Sequence, residues 1–256
     1  MRLRQIAFIA SKIDPVADQL GQVFGLKVGF RDPGVEVFGL NNVVMPVGGE
    51  FLEVLEPFRD DASGARYLAR RGGDAGYMVI LQDADALAHR ARLEGAGVRV
   101  IAKSPDRRYQ FTHFHPGDCA GVLMSIDSVV GDAGWRGAKS DWPPAGPDWR
   151  NFESEASLGI ASVTIQSRDP VAAAERWSML LAEPAKRAGS AMEITLDPGL
   201  IRFVEPVDAD GTGVVGLDIV VRDQAKTFDA ARKLGLPTGD DWIRICGVAI
   251  RPVRGS

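Results

Sequence analysis

Three groupings of side chains in this 256-residue sequence have the types and spacing to do chemistry. In Phe51-Leu52-Glu53-Val54-Leu55 the residues alternate like a strand, so Glu53 shares a face with Phe51 and Leu55. A carboxylate on an apolar face needs a metal, a donor network or a proton to be tolerated. The alternative reading is a buried salt bridge to an arginine. In Phe111-Thr112-His113-Phe114-His115 the two imidazoles stand at i and i+2, hence on one strand face, where they suit metal ligation or proton transfer. The alternative there is a hydrogen-bonded pair at a strand end. The third grouping is basic: Arg59, Arg66, Arg70 and Arg71, then Lys103, Arg107 and Arg108. It reads either as recognition of a carboxylate or phosphate or as a solvated helix face balanced by Asp60, Asp61 and Asp74. His89, beside arginines in ALAHRARL, is expected to be a solvated surface residue.

The elements that must position these groups repeat along the chain. QIAFIASKIDPVADQLGQVF at 5–24 matches SVTIQSRDPVAAAERWSMLL at 162–181 in pattern: a short apolar strand, an Asp-Pro entry and an apolar-periodic helix. GYMVILQDADALAHRARLEGAG at 76–97 matches GLDIVVRDQAKTFDAARKLGL at 216–236, and FLEVLEP matches LIRFVEP. Four strand-helix-strands units result, at about 2–57, 74–128, 158–206 and 214–254, arranged as two pairs. Residues 129–157, with Trp135, Trp142, Trp149 and several Gly and Pro, lack periodicity and read as a linker packed on the body.

Composition narrows the function classes. Hydrophobic residues make 45% and charged residues 25%, a soluble globular balance. With 30 Lys+Arg against 34 Asp+Glu the formal charge is −4, which argues against a nucleic-acid partner. No apolar stretch reaches the roughly 18 residues of a membrane span, and MRLRQIAFIASKID reads as a strand rather than a leader. The two cysteines, Cys119 and Cys246, form no disulfide framework or zinc spacing, so a reducing cytoplasm is expected.

Four such units, opened by QIAFIASKIDP, closed by NNVVMPVGGEFLEVLEP, joined by RYLARRGGDAGYMVILQDAD and ending in FTHFHPGDCAGVLMSID, resemble the vicinal oxygen chelate superfamily of glyoxalases and bleomycin-resistance proteins. The resemblance spans nearly the whole chain, is weaker after 157, and leans to the glyoxalase-like members. It implies an α+β fold of four βαβββ units in two pairs, each pair a half-open curved mixed sheet around a cavity. The domains would be 1–128 with the functional site, the linker 129–157, and a degenerate copy at 158–256. It also implies a divalent metal held by one residue from the first and one from the last strand of each unit. Those positions carry Gln5 and Glu53 in the first unit, but Gly76 and Ser125 in the second. His113 and His115 are the candidate substitutes, giving Gln5, Glu53, His113 and His115 as metal ligands for Mn, Fe, Ni, Zn or Co, with Glu53, His113 and His115 as catalytic groups. In the second pair the matching positions are Ser162, Arg202, Gly216 and Arg251, which repel a cation and leave that half as a buttress or an anion holder. Gly216 and Gly247 are 31 residues apart where Gly76 and Gly121 are 45 apart, so the stretch matching Tyr109, His113 and His115 is missing.

The resemblance thus implies an enzyme acting on a small organic molecule by lyase, isomerase or epimerase chemistry α to a carbonyl. Ring-cleaving dioxygenation has less support, because no two-histidine, one-carboxylate set falls at the standard positions. The alternative is a metal-free binding protein that sequesters a small molecule, as bleomycin-resistance members do. A small molecule is the expected partner, with neither nucleic acid nor membrane. Four units in one chain make monomer and homodimer equally compatible with a complete cavity.

Overall fold

The computed structural model of the protein describes residues 1–209 and 211–255, so the expected end of the second domain at 256 lies outside the described residues. The first unit comprises β1 (Arg2–Ile9), α1 (Ile13–Phe24), β2 (Leu40–Val47) and β3 (Glu50–Pro57). After α2 (Ser63–Arg71) the second comprises β4 (Ala75–Gln82), α3 (Ala86–Gly95), β5 (Val100–Lys103), β6 (Tyr109–Gln110), β7 (Thr112–Phe114) and β8 (Leu123–Val129). The third has β9 (Ser157–Gln166), α4 (Pro170–Leu181), β10 (Ala185–Ala188), β11 (Ala191–Leu196) and β12 (Gly199–Val204). The fourth has β13 (Gly213–Val221), α5 (Gln224–Lys233), β14 (Ile243–Ile245) and β15 (Val248–Val253).

These strands form two mixed sheets, ordered β2-β3-β1-β4-β8-β7-β5 with β6 on β8, and β10-β11-β12-β9-β13-β15-β14. Within each unit the first strand runs parallel to the last, and units join through the antiparallel pairs β1/β4 and β9/β13. The chain is therefore α+β, with the first unit paired to the second and the third to the fourth. Among the described residues no helix is long and apolar enough to cross a membrane.

Helix starts follow local chemistry. Asp169 caps α4 by accepting from the Ala172 N–H at 2.9 Å, with Pro170 in the first helical position. In α1 the same Asp-Pro pair sits two residues deeper, because the helix begins at Ile13 and the Glu56 carboxylate takes over the cap at 2.9 Å from the Ile13 N–H.

One face of each sheet enters a shared apolar core. Ile6, Phe8, Val79 and Leu81 meet Val163, Ile165, Leu217 and Ile219 there, with Leu20, Phe24 and Trp177 supplied by helices. The first sheet's far face carries a second apolar cluster that includes Ala7, Phe51, Leu55, Tyr77, Met78 and Ile80. A register shift in β4 between Met78 and Gly76 places Tyr77 beside Met78 on this far face. Gly76 turns instead toward the second half, where an added Cβ would lie 2.5 Å from the Val214 carbonyl oxygen. This corrects the expectation that Gly76 stands at a ligand position: the two sheets approach too closely there for any side chain.

The segment between the sheets lies over the far face. Trp135, Trp142 and Trp149 are all buried. Arg2 Nη1 donates to the carbonyls of Trp135, Arg136 and Gly137, and Arg4 Nη2 donates to the Ser140 carbonyl at 2.9 Å.

Candidate active site on the first sheet

The Gly48-Gly49 turn sets the β2/β3 register so that Val44 faces Glu53 and Asn42 faces Leu55, while β1 places Gln5 opposite Phe51. Gln5 and Asn42 thus flank Glu53 diagonally on one face. Gln5 Nε2 donates to Glu53 Oε2 at 2.8 Å and Asn42 Nδ2 donates to Oε1 at 2.6 Å. The Trp142 indole N–H donates in turn to Gln5 Oε1 at 2.7 Å. Glu53 is 5% exposed, and its hydrogen-bond partners are the Gln5 and Asn42 amides rather than an arginine. Burial pushes its carboxyl up to about 7, against the opposing pull of the Asn42 and Gln5 amides. Asn42 separates Glu53 from a surface pocket of about 310 Å³.

A second titrating group shares the face. Asp127 accepts from the Tyr109 hydroxyl at 2.5 Å and from the Ser125 hydroxyl, and burial lifts it to about 7. Burial and the neighbouring Asp127 raise the Tyr109 phenol well above its ordinary value. The Tyr109 ring meets Trp142 edge-on at 5.6 Å, linking the two carboxyl clusters through one indole.

His113 stands on the same face at the far end of the row Phe51, Gln5, Ile80, Ser125, His113. Its ring lies 5.6 Å from Phe38 and 4.7 Å from Phe111, and burial pulls the imidazole down to about 4, so it is neutral at pH 7. Three strand spacings, roughly 14 Å along the sheet, separate it from Gln5. His115 does not join it. The strand ends at Phe114, and His115 Nδ1 accepts from the Gly117 N–H at 3.0 Å, capping the Pro116–Asp118 turn.

These donors do not fit a divalent metal. Both Glu53 oxygens already accept amide N–H groups, Gln5 Oε1 accepts the indole N–H, and the Ser125 hydroxyl shares its one proton between Asp127 and the Thr112 carbonyl. Among the described residues no group of three or more His, Cys, Asp or Glu side chains is placed to hold an ion. The expected set Gln5, Glu53, His113 and His115 therefore divides into a hydrogen-bonded pair, a ring among aromatics and a turn cap.

No family model matches the sequence, and no curated protein matches it significantly. Solved structures do. The chain resembles a mutant of 4-hydroxymandelate synthase from Streptomyces coelicolor at 16% identity and a TM-score of 0.64, over 92% of this chain and 75% of that one. The chain has the vicinal oxygen chelate fold. Methylmalonyl-CoA epimerases align less fully: that of Streptomyces coelicolor at 23% identity and TM-score 0.46, over 50% of this chain and 97% of that one, and that of Mycobacterium tuberculosis at 18% and 0.46, over 50% and 88%.

The vicinal oxygen chelate repeat lets the second sheet be compared position by position. Register places Ser162, Arg202, Asp218 and Arg251 where the first sheet has Gln5, Glu53, Ile80 and Ser125. Arg251 holds Asp218 through Nε and Nη2, both at 2.7 Å, and Ser162 donates to it at 2.7 Å. Arg202 reaches Asp218 at 3.4 Å and Glu193 at 2.9 Å. Two arginines face two carboxylates, so the anion-holding expectation is corrected: no net positive charge is left to attract an anion.

The basic grouping also disperses. Arg71 is buried and donates to the Gly211 carbonyl, Arg59 pairs with Asp61, and Arg108 pairs with Asp141. His89 is half-buried and 3.1 Å from Asp83, rather than solvated. Sequence reasoning missed Arg4, Asn42, Gln82, Asp127 and Trp142 on the far face. Signals existed for two of them. A Gly-Gly hairpin turn sets which β2 residue lies diagonal to Glu53, and Ser125-x-Asp127 is an i, i+2 pair on one face.

Proposed function

We propose that the far face of the first sheet is the working site of a metal-independent enzyme that moves a proton on a carbon next to a carbonyl group. The observation that carries this reading is Glu53, an enclosed carboxyl held by two amides, without an arginine or lysine on it, and titrating near neutrality. A base with its pKa close to the working pH can both accept a proton and return it. Gln5 and Asn42 orient the carboxylate, so its reactive lone pair is directed rather than free to rotate. Phe51, Tyr109 and Trp142 exclude water, which strengthens every electrostatic contact inside. Return of the proton to the opposite face of that carbon gives epimerase chemistry, its return to a neighbouring carbon gives isomerase chemistry, and expulsion of a β-substituent from the carbanion gives lyase chemistry.

The test is deuterium incorporation, followed by NMR in D2O, into a panel of small carbonyl compounds. Wild type should exchange the α-proton of at least one compound faster than buffer, and Glu53→Gln should not. Equal rates for wild type and Glu53→Gln on every compound would defeat the reading. The aromatic lining of Phe38, Phe51, Tyr109, Phe111 and Trp142 favours one second reading, a small-molecule binding protein of the bleomycin-resistance type, which predicts saturable binding with no exchange.

A further inference from the structure

The chain fills the far face with its own segment, and the fit leaves polar atoms without partners. Arg2 and Arg4 are 1% and 0% exposed. Arg2 pairs with Glu50 at 2.6 Å and shares its Nη1 among three backbone carbonyls. Arg4 has no such pair. Its donors go to the neutral carbonyls of Gly49 and Ser140, and its guanidinium lies 5.0 Å from the Phe51 ring and 5.1 Å from the Trp142 ring.

Gln82 is 0% exposed and is the cross-strand neighbour of both Arg2 and Asp127, so its side chain shares their face. Neither atom of its amide has a hydrogen-bond partner, and neither do Arg2 Nε and Arg4 Nε. Enclosed polar groups are seldom left this way in a finished site. Glu50 pairs with Arg2, and Glu50 and Asp132 act on Arg4 only at a distance, so the direct acceptors on Arg4 are neutral carbonyls and the Gln82 amide has none. A carboxylate supplies both charge and acceptors. Trp142 occupies the neighbouring space, with its ring 6.3 Å from Phe51 and nearly parallel at 14°, and its N–H on Gln5, the residue that also holds Glu53.

We infer that Ser140 to Trp142 is a built-in occupant of the far face, standing where an aromatic carboxylate binds. The ligand's carboxylate takes the place of the Ser140 carbonyl on Arg4, and its ring takes the place of the indole on Phe51, beside Gln5 and Glu53. The occupant's surface ties are weak. Arg108 and Arg150 reach Asp141 at 2.9 and 3.4 Å through exposed side chains, and exposed pairs hold little. The inference rests on the far face being the working site, and adds to it a ligand class and a gate.

Titration of the full chain with 3-phenylpropanoate and with its neutral amide, read by tryptophan fluorescence and by tryptic cleavage after Lys139, tests it. The acid should give a saturable change and faster cleavage, and the amide should bind at least tenfold more weakly. Arg4→Met should abolish the preference for the acid. Trp142→Phe, which loses the N–H bond to Gln5 and weakens the competitor, should bind the acid several-fold more tightly than wild type, and it decides the matter even where Arg4→Met does not fold. Equal binding of acid and amide, no saturable response, or weaker binding by Trp142→Phe would each overturn the inference. Glu53→Gln should bind the acid at least as well as wild type. Acid binding without proton exchange would thus sink the proton-transfer reading alone, and Glu53-dependent exchange without acid binding would sink this one alone.

Discussion

The two sheets place different chemistry at equivalent points of one repeat. On the first, Glu53 is held by neutral amides under a lid of aromatic rings; on the second, Arg202, Asp218 and Arg251 close an ion-paired network that stays half open to water. A charge network satisfies its own members. Arg251 and Ser162 hold the Asp218 carboxyl below its ordinary value although burial opposes them. A carboxyl given only amides is left near neutrality and able to exchange its proton. The duplicated fold thus holds an ion-paired carboxylate on the second sheet and an amide-held carboxyl on the first, and the segment carrying Trp142 lies over the first.

The sharpest way to break this comparison is in turnover. Glu53→Gln keeps the side-chain size and removes the titrating group, and should lower proton exchange by about 10²–10⁴-fold. Arg202→Met should leave exchange unchanged. A folded but inactive Arg202 variant would move the working site to the second sheet.

Next in size is a pH dependence of stability. The folded-state value of Glu53, about 7, lies above its ordinary 4.5, and that of Asp127, also about 7, above 3.8. The native state holds both protons more tightly, so their contribution is present in full in acid and is lost as pH rises through about 7. Urea melts at pH 5 and pH 8 should differ by about 3 kcal/mol for each group. Glu53→Gln should remove its share of the slope, even though the new amide faces the Asn42 amide and costs about 1–3 kcal/mol at all pH values. His113 acts with the opposite sign: its depressed value, about 4 against 6.5, means stability is lost as pH falls through that interval.

Smaller effects sharpen the contrast. Asp218→Ala strips the shared acceptor from Ser162, Arg202 and Arg251. Both arginines keep some water, so the loss should be about 1–3 kcal/mol rather than the 3–5 kcal/mol of a fully enclosed pair. Thermal melts should show it, with ligand binding on the first sheet intact. Trp142→Phe should cost about 1 kcal/mol for the lost hydrogen bond, the smallest of the changes.

Much of the fold was legible in the sequence because the signals were local and repeated. Asp169-Pro170 marks the start of α4, and the matched strands show which units resemble one another. Asp14-Pro15 misplaces the start of α1 by two residues because the cap on Ile13 comes from Glu56, 43 residues away. Gln5 and Glu53 meet because each follows strand alternation and the parallel pairing of β1 with β3. His115 fails because alternation holds only while a strand continues, and β7 stops at Phe114. Trp142 and Arg4 were hidden for a third reason: a segment without periodicity gives no pattern from which its docking place can be read. Gly76 needed the packing of one sheet on another, which no single strand records.

That close approach has a consequence for how the chain can change over generations. An added Cβ at Gly76 would strike the Val214 carbonyl, and one at Gly247 would fall 2.2 Å from the Asp74 carbonyl oxygen. Each half therefore inherits a contour cut to the other. The seam constrains both halves whatever side chains line the second sheet's other face. A fragment ending near residue 128 would bare the contour along with Ile6, Phe8, Val79 and Leu81, and should be recovered from cells as aggregate rather than as a smaller working protein.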